Sequence, residues 1–276
     1  MQIFKRYLFF YFFWFLTIPS TYLQPTYGNV YELPELLNTY GMPGNIDTPV
    51  ALPLPEGQLS ISSSIFGGTI RTNLSFQITE KLTTSFRYSR VPAVKGDHGG
   101  YFWDRSFDLH YLLSKEKKTI PSIAIGLRDF IGTGIYSGEY FVASKKIGEK
   151  IYLSTGLGWG RLSGKNSFSN IFGAEKERNV RNAGFGGTFH FDQFFSGPNS
   201  PFFSIAYNLD EKLSLVAEYS SDNYSLETSS TKGLKRNSDI NIAFKYKLAP
   251  DFSVMGQLMH GDKIGLTGVL AINPKN

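Results

Sequence analysis

The chain has 276 residues, with 28 Lys and Arg against 23 Asp and Glu, a formal charge of +5, 16% aromatic residues and no cysteine. Disulfides are therefore excluded, as is a lipid anchor on cysteine. The basic residues are scattered among acidic ones and form no basic helix or clustered patch, which argues against nucleic acid as a partner.

The first 24 residues stand apart as a predicted signal peptide. Lys5 and Arg6 precede an aromatic and aliphatic run from Tyr7 to Ile18, followed by Pro19, Ser20 and Thr21. In helix that run would be about 18 Å long, too short for a hydrocarbon core of roughly 30 Å. A secretory signal fits it better; a buried or membrane-anchoring helix is the alternative, since no clear A-x-A cleavage site follows. Residues 25–56 are rich in Pro, Gly, Asn and Leu. They read as an extended periplasmic segment leading into the domain that follows, with a short helical turn at 32–37.

From residue 57 the pattern alternates with a period of two. Leu82, Thr84, Phe86 and Tyr88 share one face and Thr83, Ser85 and Arg87 the other; Ile240, Ile242, Phe244, Tyr246 and Leu248 alternate with Asn241, Ala243, Lys245 and Lys247. Period two marks half-buried strands, and an apolar face backed by a charged one suits lipid outside and water inside. Strands are predicted over 57–66, 69–78, 82–90, 103–114, 121–130, 135–145, 150–160, 201–208, 212–220, 238–248, 252–260 and 263–272. The predicted fold is an all-β, antiparallel transmembrane outer-membrane β-barrel of about 12 strands over 57–276, with both ends periplasmic.

The connections support that polarity. Thr79-Glu80, 147–149, Asp210-Glu211 and 249–251 are tight, whereas 91–102, 161–200 and 221–237 are long and polar. Short periplasmic turns and long external loops are the expected asymmetry. Residues 184–195, rich in Phe and Gly, compete as a thirteenth strand. That strand would put the later tight turns on the long-loop side, so the segment is assigned to the external loop 161–200, folded over or into the mouth. Glu175 to Arg178 with Arg181 is read as a solvated part of it.

Turning the aromatic faces to lipid sends Arg87, Asp108, His110, Arg128, Glu139, Lys145, Lys212, Glu218, Lys245 and Lys247 to the lumen. A lipid-facing Arg or Lys at mid-depth would cost about 2–4 kcal/mol. Arg87, Asp108, Arg128, Asp129, Glu139, Lys145 and Glu218 are the candidate lumen and polysaccharide contacts. The plainer reading is that they pair with one another and fill a narrow barrel. His98, His110, His190 and His260 show no metal-ligand spacing, and no G-x-S-x-G context appears, so no catalytic, cofactor or metal site is predicted.

Several strings go beyond barrel texture. Gly41 to Gly44, Asn45 to Pro53 and Pro55 to Gly57 are followed by Ser106 to Leu109, Gly126 to Gly134, Glu139 to Lys145, Gly156 to Leu162, Phe194 to Pro198 and Glu218 to Asp222. In this order they resemble the YjbH-like exopolysaccharide proteins of Gram-negative bacteria. The resemblance implies an outer-membrane β protein acting in polymer production or export. Members are often lipoproteins and continue further; this chain has no cysteine and stops at Asn276 without a terminal aromatic, so a shortened member or fragment is implied.

The resulting expectation is a non-catalytic Gram-negative outer-membrane barrel, without cofactor, assisting exopolysaccharide or capsule production or export. It would offer a wet, charged, aromatic-bearing passage or docking surface, since sugar hydroxyls suit mixed charged groups and sugar rings stack on Tyr and Trp; a polyanion crossing a basic lumen is one form of this. The alternatives are a plugged accessory barrel scaffolding partner proteins and a lipid-modifying enzyme. Expected partners are outer-membrane lipids, polysaccharide and other exopolysaccharide-assembly proteins.

Overall fold

A computed structural model describes residues 37–92, 101–174, 191–229 and 233–274. The alternating runs form β1 (Leu59–Phe66), β2 (Thr69–Gln77), β3 (Leu82–Pro92), β4 (Tyr101–Ser114), β5 (Ser122–Gly132), β6 (Gly138–Ile147), β7 (Ile151–Trp159), β8 (Asn199–Asn208), β9 (Leu213–Tyr219), β10 (Ile240–Ala249), β11 (Phe252–Met259) and β12 (Lys263–Ile272). Each strand pairs antiparallel with its chain neighbours, and β1 pairs with β12 to close a twelve-stranded barrel of the outer-membrane type. Every predicted strand is present, its ends moved by three residues or fewer. On β10 the physical cause is plain: Ile240, Ile242, Phe244, Tyr246 and Leu248 are exposed on the outside, while Asn241, Ala243 and Lys245 are buried within.

The segment before β1 departs from its expected place. Residues 37–54 are folded inside the barrel, not extended on the periplasmic side. Antiparallel bridges Leu37–Pro43 and Gly44–Pro49 shape them into a compact double turn, and every residue from 37 to 51 is buried. Leu37 and Leu54 both pack against Val269, toward the tight-turn end, whereas Tyr40 packs with Val91 and Tyr136 toward the long-loop end. The chain thus enters the lumen and returns on the same side before starting β1. The predicted signal peptide, the helical turn predicted at 32–37 except for Leu37, His98, His190 and the charged run 175–181 lie outside the described residues.

Two described parts of the long β7–β8 connection, at Phe172 and Phe195, lie over the outer wall. Leu157 and Trp159 point outward by register with Phe141 and Asn199, yet both are buried. Trp159 stacks on Phe172, with ring centroids 5.7 Å apart, and meets Phe195 edge-on at 5.2 Å. Phe191–Gln193 is one 3-10 turn, so no thirteenth strand forms among the described residues.

Candidate functional site: a lumen filled by the chain itself

The inner segment has no regular ladder of its own, so its buried backbone groups need other partners. The wall supplies them from side chains. The Glu218 carboxylate on β9 accepts the backbone N–H groups of Ile46 at 3.0 Å, Asp47 at 2.9 Å and Thr48 at 3.0 Å, the Thr48 hydroxyl at 2.8 Å and the Asn241 amide at 3.0 Å. Three consecutive N–H groups converging on one carboxylate form an anion-binding nest, here built from the plug around a wall residue. Lys245 Nζ donates to the Gly44 carbonyl at 2.9 Å, Arg128 donates to the Asp47 carbonyl, and Ser75 donates to the Gly41 carbonyl at 2.5 Å. Ser144 Oγ accepts the Ala51 N–H at 2.8 Å, and Ser204 Oγ accepts from the Asn45 amide at 2.7 Å. Strands β2, β5, β6, β8, β9 and β10 all hold the plug.

Toward the long-loop end the plug meets a hub of arginines and tyrosines. The guanidinium carbons of Arg71, Arg87 and Arg128 lie 4.0, 4.8 and 4.0 Å from the centre of the Tyr40 ring. Such cation–π contacts strengthen where water is excluded. Tyr136, from the β5–β6 connection, meets Tyr40 edge-on at 5.9 Å and lies 4.6 Å from the Arg161 guanidinium. Carboxylates match these charges: Asp108 on Arg87 at 2.5 Å, Asp47 near Arg71 at 3.5 Å and Asp222 on Arg161 at 2.7 Å.

One further carboxylate closes the mouth. A single helical turn, α1 (Ser225–Ser229), in the β9–β10 connection carries Glu227. Its fully buried carboxylate bridges Arg71 at 3.3 Å and Arg161 at 2.5 Å and accepts the Tyr136 hydroxyl at 3.0 Å. Burial alone pushes this carboxyl up, but Arg161 and Arg71 outweigh it and hold it below the usual carboxylate range. The lumen is therefore occupied from the tight-turn side by residues 37–54 and latched from the long-loop side by α1. Its charge is not predominantly basic: Asp47, Asp104, Asp108, Asp129, Glu218, Asp222 and Glu227 face Arg71, Arg87, Arg128, Arg161 and Lys245.

Of the predicted contacts, Arg87, Asp108, Arg128, Asp129 and Glu218 do face the lumen and are buried there. Arg128 and Asp129 are neighbours in sequence, yet both point inward because a bulge separates the pairs Phe107–Ile131 and Leu109–Leu127. Asp129 takes a φ of 47° at that bulge; its N–H donates to Asp108 at 2.8 Å and its carboxylate accepts the Tyr136 N–H at 3.0 Å. His110, also inward, lies 2.8 Å from the Tyr140 hydroxyl, and Gly126 makes room for that ring: a Cβ there would sit 2.1 Å from it.

Glu139 and Lys145 are corrections. Glu139 pairs with Leu127 and Lys145 with Leu153, on the outward face shared by Ile125 and Phe141. Glu139 is buried under the external loop, where it accepts the Phe195 N–H at 2.9 Å. Lys145 sits at the tight-turn rim with Glu116 at 2.9 Å and the Lys117 carbonyl at 2.6 Å. Alternation alone misleads on β6 because Tyr140 and Val142 place apolar groups on its inner face, where they pack with Ala51 of the plug. Lys212 is likewise exposed in the β8–β9 turn. Missed altogether were Tyr40, Arg71, Tyr136, Arg161 and Glu227. Arg71 was within reach, since Ile70, Leu74 and Phe76 set the phase of β2; the others lie in aperiodic connections.

A family model described as "Exopolysaccharide biosynthesis protein YbjH" matches residues 36–276. The chain is also 30% identical, over 236 residues, to the "Uncharacterized lipoprotein YjbH" of Escherichia coli (strain K12), an alignment covering 80% of this chain and 33% of that protein. The chain thus spans about a third of the length of the curated relative it matches. Among solved structures it is similar to the KdgM porin, with a TM-score of 0.43 and 9% identity over 77% of this chain and 98% of that one, and to the NanC porin, with 0.39 and 10% over 77% and 98%.

Proposed function

The chain belongs to the YjbH family of exopolysaccharide biosynthesis proteins, and we propose that it serves polymer production from the Gram-negative outer membrane as a non-catalytic accessory barrel. In this reading it docks or organises other components and is not an open conduit. The observation that carries the reading is the plug: residues 37–54 occupy the lumen and are held by Glu218, Lys245, Arg128, Ser75 and Ser144. Groups that sequence alone would offer to a passing sugar are spent on the chain's own backbone. Glu227 adds a second closure on the opposite side.

The natural chain has no cysteine, so the plug can be locked cleanly. Ala51→Cys with Ser144→Cys joins plug to wall where the Ala51 N–H meets the Ser144 hydroxyl at 2.8 Å. The purified wild-type barrel should be silent in planar bilayers. Cells carrying the locked pair should make as much polymer oxidised as reduced. Steady conductance of the wild type, or polymer loss on oxidation that reduction reverses, would overturn the docking reading in favour of a passage.

A further inference from the structure

Among the described residues, the outward faces of the twelve strands carry charge at Arg90, Arg105, Glu139 and Lys145 and otherwise none. Glu139 is covered by the external loop and Lys145 is paired with Glu116. Arg90 and Arg105 differ. Neither side chain makes a hydrogen bond or ion pair with any described residue, and the Arg90 Nε is buried with no partner.

Their setting is ordered all the same. Arg90 on β3 lies directly opposite Trp103 on β4, and Tyr88 directly opposite Arg105. The two arginines are thus diagonal neighbours, about 7–8 Å apart at the backbone, one on either side of the aromatic pair between them. Tyr88 and Trp103 stack between them with centroids 5.1 Å apart and 18° between planes. Arg90 lies over the Tyr101 ring at 4.1 Å and Arg105 over the Tyr88 ring at 5.7 Å. Tyr101 and Trp103 are exposed, and all five residues sit at the long-loop end of the strands. That is the level of an aromatic girdle, where lipid-facing charge costs only about 0–1 kcal/mol. Among the described residues no acid pairs with either charge, and an anion would supply the missing partner. Guanidinium pairs take phosphate oxygens bidentately, and the aromatic floor suits the apolar and sugar faces of a lipid headgroup.

We propose that Arg90 and Arg105, on the floor of Tyr88, Tyr101 and Trp103, form a binding site for the phosphate of a phosphorylated glycolipid in the outer leaflet. The inference rests on the barrel lying in the outer membrane and is independent of the plug or any role in polymer production, so the locked-plug experiment and this one fail separately.

The test is native mass spectrometry of the full chain in detergent with bis-phosphorylated lipid A, its dephosphorylated form and inorganic phosphate. Bis-phosphorylated lipid A should bind the wild type at least tenfold more tightly than the dephosphorylated form, and millimolar phosphate should not displace it. Arg90→Gln with Arg105→Gln should lose at least tenfold, while Arg90→Lys with Arg105→Lys should keep most of the binding. Equal binding of the two lipids would overturn the proposal even if a variant failed to fold. So would undiminished binding by a Gln variant whose heat-modifiable gel mobility shows it folded, or displacement by phosphate at lipid-equivalent concentration, which would make the site one for the free ion.

Discussion

Arg87 and Arg90 stand three residues apart on the same strand and meet opposite fates. Arg87 points inward, fully buried, with Asp108 at 2.5 Å and the Tyr40 ring at 4.8 Å. Arg90 points outward among Tyr101 and Trp103, with no acid beside it among the described residues. The difference follows from the two solvents. In the filled lumen an uncompensated charge costs several kcal/mol, so Arg71, Arg87 and Arg161 each have a carboxylate of the chain and Arg128 a plug carbonyl. At the rim, headgroups and water are at hand, and the chain leaves its charges to them. Each of these inner arginines meets a partner from the chain, although some of their nitrogens, such as Arg128 Nε and Nη1, stay unbonded, whereas the outer pair faces its surroundings.

The inner side of that contrast predicts the largest effects. Glu227→Gln leaves Arg71 and Arg161 short of their shared anion, and breaking such a buried network costs about 3–5 kcal/mol. The variant should show a lower thermal midpoint and faster proteolysis in the β9–β10 connection; unchanged protection would mean that α1 is not a latch. The same latch should respond to acid. Because the folded Glu227 carboxyl is held below its ordinary value, its stabilisation is complete above about pH 4.3 and fades as the pH falls through the lower folded value. Protease protection of the connection should therefore be flat from neutral to mildly acidic pH and drop only in strong acid, and Glu227→Gln should abolish that drop.

Glu218→Ala strips the nest from Ile46, Asp47 and Thr48. At about 1–3 kcal/mol for each buried donor left unsatisfied, it should lower stability by at least about 3 kcal/mol and release the plug. Labelling of a cysteine placed at Ala51 reads this directly, with wild-type protection counting against the nest. The smallest effect belongs to the outward, rim-exposed side: Lys145→Ala removes a partly exposed pair with Glu116 and should change stability by at most about 1 kcal/mol. A loss as large as that of Glu218→Ala would put Lys145 back among the lumen residues.

Strand-level alternation made the wall legible. On β3 and β10 the large apolar residues fall almost wholly on the outer face, with Val91 and Ala243 the inward exceptions, so Arg87 and Lys245 could be placed from sequence, as could Glu218. β6 could not, because Tyr140 and Val142 are apolar residues pointing into a lumen that was read as wet. Their burial depends on Ala51, a residue distant in sequence and without periodic signal. Asp129 faces inward only through a bulge, which alternation cannot announce.

The sequence by itself determined the barrel, its twelve strands, the split between tight turns at one end and long loops at the other, and its family, since all of these are written in local periodicity, turn length and ordered strings. Only the tertiary structure decided what fills the barrel. The Pro- and Gly-rich stretch from 37 to 54 has no repeat to betray a destination, and its backbone groups become satisfiable only when side chains from six strands converge on them. A closed wall dictates that an inside exists; long-range hydrogen bonding dictates that this one is full.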